Sequence, residues 1–244
     1  MKDMARRVNE FGAKAVRDNP AKFGFFASLP IPHMGAVLEE IAYALDKLGA
    51  AGITLQANMH GKYLGEDLYE PMWAELDRRG AVVFIHPNRL PGPPVEGMLP
   101  AAVDFLADTT RTVLSMLDTN LFSRLKAVKV ITSHGGAFVP YQAYRLALVG
   151  PKGLKGIPER REQLQRLYFD TTLAGNNFTL PSLMAFTGGH RVLFGSDFPF
   201  APEDYVIDSI SGLNEYFSED LMTLWRISRG TAMHMHLTPS THAT

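Results

Sequence analysis

The chain has 244 residues, a formal net charge of -1 and a charged share of 20%, a size that suits one α/β barrel filling a single domain over 1–244. So even a charge balance gives no electrostatic case for nucleic acid or an anionic membrane surface, and no apolar run approaches membrane-spanning length. There is no cysteine, which excludes disulfides, Cys-ligated zinc and iron–sulfur clusters, leaves any metal to His and carboxylates, and fits a reducing, cytoplasmic setting.

Met1–Arg7 leads into an amphipathic segment without the apolar stretch of a signal peptide. Ala5, Val8, Phe11, Ala15 and Val16 recur at helical spacing, and Asn19-Pro20 closes that helix. The apolar run Phe23–Pro30 follows as a strand. Val37, Leu38, Ile41, Leu45 and Leu48 mark a helix ended by Gly49 and Gly52, before the strand Ile53–Asn58. Leu68, Met72, Trp73 and Leu76 make the next helix, which stops at Gly80. Ala81–Ile85 is then a strand buried on both faces, and it ends at His86-Pro87.

The proline-rich segment from Pro87 to Pro100 reads as a loop on the functional side of the sheet, one wall of a substrate pocket. Val103, Leu106, Thr110, Val113, Leu114 and Leu117 line a helix, Val128–Thr132 is a strand, and Tyr141–Val149 is helical. Gly150–Pro158 is a loop without the Gly-Lys-Ser/Thr ending of a phosphate-binding loop. Glu159–Leu167 is a polar helix, Tyr168–Leu173 a strand, Leu180–Phe186 a short helix and Arg191–Phe194 the last strand. Helices complete the chain, with Ser218-Glu219-Asp220 as a cap, and the tail from Pro239 frays. Six alternations of strand and helix with short links specify one mostly parallel sheet, barrel or open.

Three strands share one design. Each delivers a metal- or proton-competent side chain just before Gly or Pro turns the chain: His86, His134 before Gly135-Gly136, and Asp197 in Gly195-Ser196-Asp197-Phe198-Pro199. In a parallel sheet such ends lie on one side, so the three converge. His86 and Asp197 supply two ligands for a divalent ion, and His134 is either a third ligand or a nearby acid–base group. Asn58, at a strand end, either hydrogen-bonds substrate or makes a turn. His33, His60, His190 and His242 read as surface or turn residues.

Phe-Ala-Ser-Leu-Pro at 26–30, Phe-Ile-His-Pro at 84–87, Ile-Thr-Ser-His-Gly-Gly at 131–136, Tyr-Phe-Asp-Thr at 168–171 and Leu-Phe-Gly-Ser-Asp-Phe-Pro at 193–199 together resemble the amidohydrolase-related superfamily. The branch they resemble is that of aminocarboxymuconate-semialdehyde and 6-methylsalicylate decarboxylases. The resemblance implies a metal-dependent (β/α)8 TIM barrel, with His86 a zinc or manganese ligand, Asp197 a ligand that also handles protons, and His134 the acid–base residue. Arg145 matches an arginine that in some relatives reaches the substrate carboxylate of a neighbouring subunit, which makes a homodimer functional.

Relatives open with a strand ending His-x-His or Glu-x-His, followed by a second strand. Neither is found here, so the chain reads as strands three to eight of the barrel with the first two βα units absent. Its sheet is accordingly expected to have open edges through which the chain aggregates or dimerises. The His234-Met235-His236 triplet is no substitute, because residues two apart on a helix point to different sides. The family's Gly-Asn-Ala reads Gly230-Thr231-Ala232 here. The expected activity is non-oxidative decarboxylation of a hydroxylated aromatic or related unsaturated carboxylic acid. The alternatives are a lactone or amide hydrolase on the same barrel, and an inactive fragment or pseudoenzyme.

Overall fold

The computed structural model describes residues 2–93 and 95–237; His242 and the tail from Pro239 lie outside them. Helix α1 (Lys2–Asp18) leads to strand β1 (Phe26–Ser28), α2 (Met34–Asp46) and β2 (Gly52–Gln56). A small hairpin of β3 (Asn58–Met59) and β4 (Lys62–Tyr63) precedes α3 (Glu70–Arg78) and β5 (Val82–His86). Then come α4 (Asp104–Asp118), α5 (Leu121–Arg124), β6 (Lys129–Thr132), α6 (Val139–Leu148) and α7 (Ile157–Leu164). The chain continues with β7 (Tyr168–Asp170), α8 (Leu180–Thr187), β8 (Val192–Leu193), α9 (Glu203–Tyr216), α10 (Leu221–Trp225) and α11 (Thr231–His234).

Six strands form one sheet in the order β1-β2-β5-β6-β7-β8, and every neighbouring pair is parallel. Its register sets Ile85 beside Thr132, Thr132 beside Phe169 and Asp170 beside Leu193. The strand ends that carry the candidate residues are therefore level with one another.

The sheet is curled. Phe26 of β1 and Leu193 of β8 line the same cavity, whereas a flat sheet would hold its first and sixth strands about 24 Å apart. One apolar layer lies on the helix-covered side, where Ile53, Val83, Ile85, Phe169 and Val192 pack with Ile41, Met72, Trp73 and Met116. Trp73 is 1% exposed and its indole N–H donates to the Leu64 carbonyl at 2.8 Å. A second cluster joins Val82, Ile131, Tyr168 and Leu193 to Met235, with Phe26, Phe84, Ala232 and Leu237 packed against it. The segment after α10 thus covers the inner side of the sheet. It leaves α10 through a π-turn over Arg226–Gly230, where a Cβ on Gly230 would lie 2.6 Å from the Trp225 ring.

At each outer edge, where the sequence led us to expect open strands, one residue is capped. The Asn9 amide takes both backbone groups of Ser28: the Ser28 N–H donates to Asn9 Oδ1 at 2.8 Å, and Asn9 Nδ2 donates to the Ser28 carbonyl at 2.9 Å. On the far side, the Phe194 N–H donates to the Ile227 carbonyl at 2.9 Å. An amide side chain and a helical carbonyl here stand in for neighbouring strands.

Several elements differ in length from the sequence reading. The run 23–30 pairs only over Phe26–Ser28, and the run 168–173 only over Tyr168–Asp170, because the chain then turns: the Ile31 N–H donates to the Leu29 carbonyl and the Ala174 N–H to the Thr171 carbonyl, each at 2.9 Å. The stretch 150–158 holds a 3-10 turn at Gly153–Gly156 and the start of α7; Pro158 opens that helix, where its missing N–H costs nothing. Asp220 caps α10 as expected, accepting from the Thr223 N–H at 3.0 Å.

Candidate active site

His86 stands at the end of β5 because Pro87 has no N–H with which to continue the ladder. His134 follows β6 in a turn where His134, Gly135, Gly136 and Ala137 all have positive φ (58°, 63°, 75° and 58°). A side chain on Gly136 would place its Cβ 2.2 Å from the Phe169 ring, so this tight turn is open only to glycine there. Asp197 follows β8, also with positive φ (57°). Such left-handed non-glycine residues carry strain that the surroundings must hold in place, and they concentrate at working sites.

The turns bring His86, His134 and Asp197 together. Each offers one ligand atom, all lying within 4.8 Å of one another. The two imidazole rings are 5.5 Å apart, and His86 Nε2 is 3.8 Å from Asp197 Oδ1. The three line a cavity of about 330 Å³ together with Phe26, Phe84, Leu193 and Phe194.

The protonation pattern follows from the partners. His86 Nδ1 lies 2.9 Å from the Pro87 carbonyl, which can only accept, so Nδ1 carries the hydrogen and Nε2 presents its lone pair to the cavity. Burial, reinforced by the His86 ring, pushes the His134 imidazole down to about 4, so it is neutral at pH 7. Burial raises the Asp197 carboxyl above its ordinary value, against the downward pull of His86.

Two acceptors facing each other at 3.8 Å require a cation or a proton between them. His134 Nδ1 is buried without a hydrogen-bond partner among the described residues. Two imidazoles and one carboxylate form a donor set that fits a divalent ion of the zinc or manganese kind.

Asn58 is elsewhere. It is 2% exposed, and its Nδ2 donates to Asp108 at 2.8 Å and to the Arg89 carbonyl at 3.0 Å. Asp108 also accepts from the Asn88 N–H at 2.8 Å. Asn58 therefore sits in the network that holds the loop after His86 and is not among the residues lining the cavity. Arg145 lies exposed on α6, likewise outside the cavity wall. His33, His60, His190, His234 and His236 are exposed.

One wall residue was not singled out from sequence. Asp170 ends β7 at 5% exposure, lines the same cavity, and accepts from the Thr172 N–H at 3.0 Å and the Thr172 hydroxyl at 2.9 Å. Burial pushes its carboxyl up to about 6, against hydrogen bonds from Thr172 and the backbone amides of His134 and Gly135.

A curled parallel α/β sheet that gathers two histidines and an aspartate at the carboxyl ends of its strands defines the frame of a metal-binding α/β-barrel enzyme. The chain belongs to the amidohydrolase family, whose sequence profile matches residues 3–225. It is 40% identical over 238 residues to a decarboxylase of Penicillium terrestre, covering 89% of this chain and 69% of that protein. It is 38% identical over 228 residues to the 6-methylsalicylic acid decarboxylase of Penicillium expansum, covering 87% and 68%. This chain thus spans about two thirds of the length of each. A crystal structure of a dihydroxybenzoic acid decarboxylase from Polaromonas sp., with bound manganese and an inhibitor, superposes with a TM-score of 0.80 at 22% identity, covering 96% of this chain and 75% of that one.

Proposed function

We propose that the protein is a metal-dependent, non-oxidative carboxy-lyase acting on a hydroxylated aromatic or related unsaturated acid of the 6-methylsalicylate type. The observation that carries this reading is the neutral His134 beside His86 and Asp197 in a cavity walled by Phe26, Phe84 and Phe194. Its carboxy-lyase class agrees with the decarboxylase names of relatives near 40% identity.

His86, through Nε2, and Asp197 would hold the ion, with zinc the expected metal and manganese the alternative suggested by the Polaromonas structure. When bound, a divalent ion neutralises the substrate carboxylate and the oxygen next to it. The aromatic walls hold the ring flat, and the neutral His134 imidazole accepts and returns a proton. Water activated by His134, or Asp197 itself, delivers a proton to the carbon bearing the carboxylate. The bond from that carbon to the carboxylate then breaks, its electron pair returns to the ring, and carbon dioxide leaves. The donor then recovers its proton from solvent.

Arg145 is assigned to a homodimer in which it meets the substrate carboxylate of the neighbouring subunit. It shares the exposed face of α6 with Tyr141 and Tyr144, which are 80% and 65% exposed. The cytoplasmic placement rests on the cysteine-free composition. Among the described residues no helix is long and apolar enough to cross a membrane.

The test is incubation of the purified chain, loaded with zinc or manganese, with 6-methylsalicylate and with other hydroxybenzoates. Release of carbon dioxide with formation of the matching phenol, lost in His134→Ala, is the expected result. A chain that binds metal yet leaves every such acid intact would refute the assignment.

A further inference from the structure

The three converging side chains sit on turns after β5, β6 and β8, and β7 separates two of these turns. The end of β7 touches both. On one side it meets the His134 turn: the backbone amides of His134 and Gly135 pull the Asp170 carboxyl down, and Gly136 of that turn lies so close to Phe169, the residue before Asp170, that a Cβ would be 2.2 Å from its ring. On the other side the Gly195 backbone lies so close that a Cβ there would be 2.7 Å from Asp170 Oδ2 and 2.7 Å from Thr172 Oγ1. The Gly195 N–H donates to Thr171 Oγ1 at 3.2 Å.

The Thr172 N–H donates to one oxygen of Asp170 and the Thr172 hydroxyl to the other, so the carboxylate is held by its own strand end. From this geometry we infer that Asp170 is the positioning residue of the site: it anchors the His134 turn, abuts the Asp197 turn, and so fixes the separation of His134 and Asp197. The inference rests on the functional reading above only where metal binding is used as a readout. Carboxylates that orient ligand-bearing groups in this manner typically govern metal affinity by 10–100-fold.

The experiment compares the full chain with Asp170→Asn, which keeps the shape but replaces one acceptor by a donor aimed at N–H groups. Two readouts are taken: backbone amide NMR shifts of His134, Gly135 and Gly195 without metal, and Mn(II) affinity by calorimetry. The expected result is that the amides on both turns move together and that Mn(II) binds about tenfold or more weakly. Unmoved amides, or movement confined to the His134 side with unchanged Mn(II) affinity, would overturn the inference and leave a buried carboxylate that serves stability alone.

If Asp170→Asn does not fold, Thr172→Val replaces it, removing one donor and leaving the carboxylate in place. The same three amides are expected to move, with a severalfold loss in affinity, and their failure to move would overturn the inference. Should the unaltered chain bind no Mn(II), the functional proposal fails while the amide shifts still decide the role of Asp170.

Discussion

At the scale of single residues, the site depends on which nitrogen of His86 is free. The Pro87 carbonyl at 2.9 Å holds the hydrogen on Nδ1, so a ring without nitrogens, slightly larger than imidazole, removes both that bond and the ligand atom. His86→Phe is expected to remove bound metal from protein purified without chelator, as read by elemental analysis. Its melting temperature should stay within roughly 4 °C, because the residue is only half-buried and contributes little packing. His86, His134 and Asp197 were legible in sequence because each closes an apolar run just before a Gly or Pro. Asp170 stood in an equivalent place and in a quoted motif, yet Thr171-Thr172 follow it instead of a chain-turning residue. Its partners, His134 and Gly195, come from other strands, and no local pattern announces them. The network that Asn58 joins is hidden for the same reason: its partner Asp108 is 50 positions away, and only its turn bond from the Gly61 N–H is local.

At the scale of elements, short contacts decide how helices seat on the sheet. Gly65 lies against α4 so closely that a Cβ would fall 2.3 Å from the Ser115 carbonyl group. Backbone cannot step aside as a flexible side chain can, so Gly65→Ala is expected to cost about 3 kcal/mol, measured by denaturant unfolding. Asp77, at the end of α3, ties that helix to the start of β6. Its Oδ1 accepts from the N–H groups of Lys126, Ala127 and Val128 at 2.7, 2.7 and 2.9 Å.

Burial alone would raise the Asp77 carboxyl, but the three backbone bonds outweigh it and hold it below the ordinary carboxylate value. A depressed folded-state pKa contributes stability that is present above the unfolded value and lost as pH falls through the folded one. Asp77→Ala should therefore cost about 2 kcal/mol near neutrality and flatten the decline in stability on acidification below about pH 4. Helix and strand order was readable from periodicity. Strand length was not, since β8 extends only as far as Phe169 and Asp170 offer partners.

At the scale of the whole molecule, the sequence suggested a sheet with two unprotected edges, and the structure caps one residue at each, Ser28 and Phe194. Asn9 also donates to the wholly buried Glu40 at 2.8 Å, which in turn pairs with Arg6 of α1, so the Asn9 amide ties α1 to β1 and joins Arg6 in tying it to α2. Asn9→Ala would uncover Ser28 and leave an unpaired strand edge, the usual route to edge-to-edge association. Sedimentation velocity is expected to show concentration-dependent self-association beyond that of the unaltered protein. Unchanged sedimentation would mean that Asn9 does not guard that edge.

The two tryptophans occupy opposite environments. Trp73 is 1% exposed in the core under the sheet, whereas Trp225 is 52% exposed at the start of the segment that folds back over the inner face. The intrinsic fluorescence of the chain is consequently two-coloured: a blue component from a dry indole and a red, acrylamide-quenchable component from a wet one. Loss of the red component's environment before the blue one moves would show the C-terminal segment peeling away while the sheet remains intact, so that a single cuvette separates opening of the cavity from unfolding of the protein.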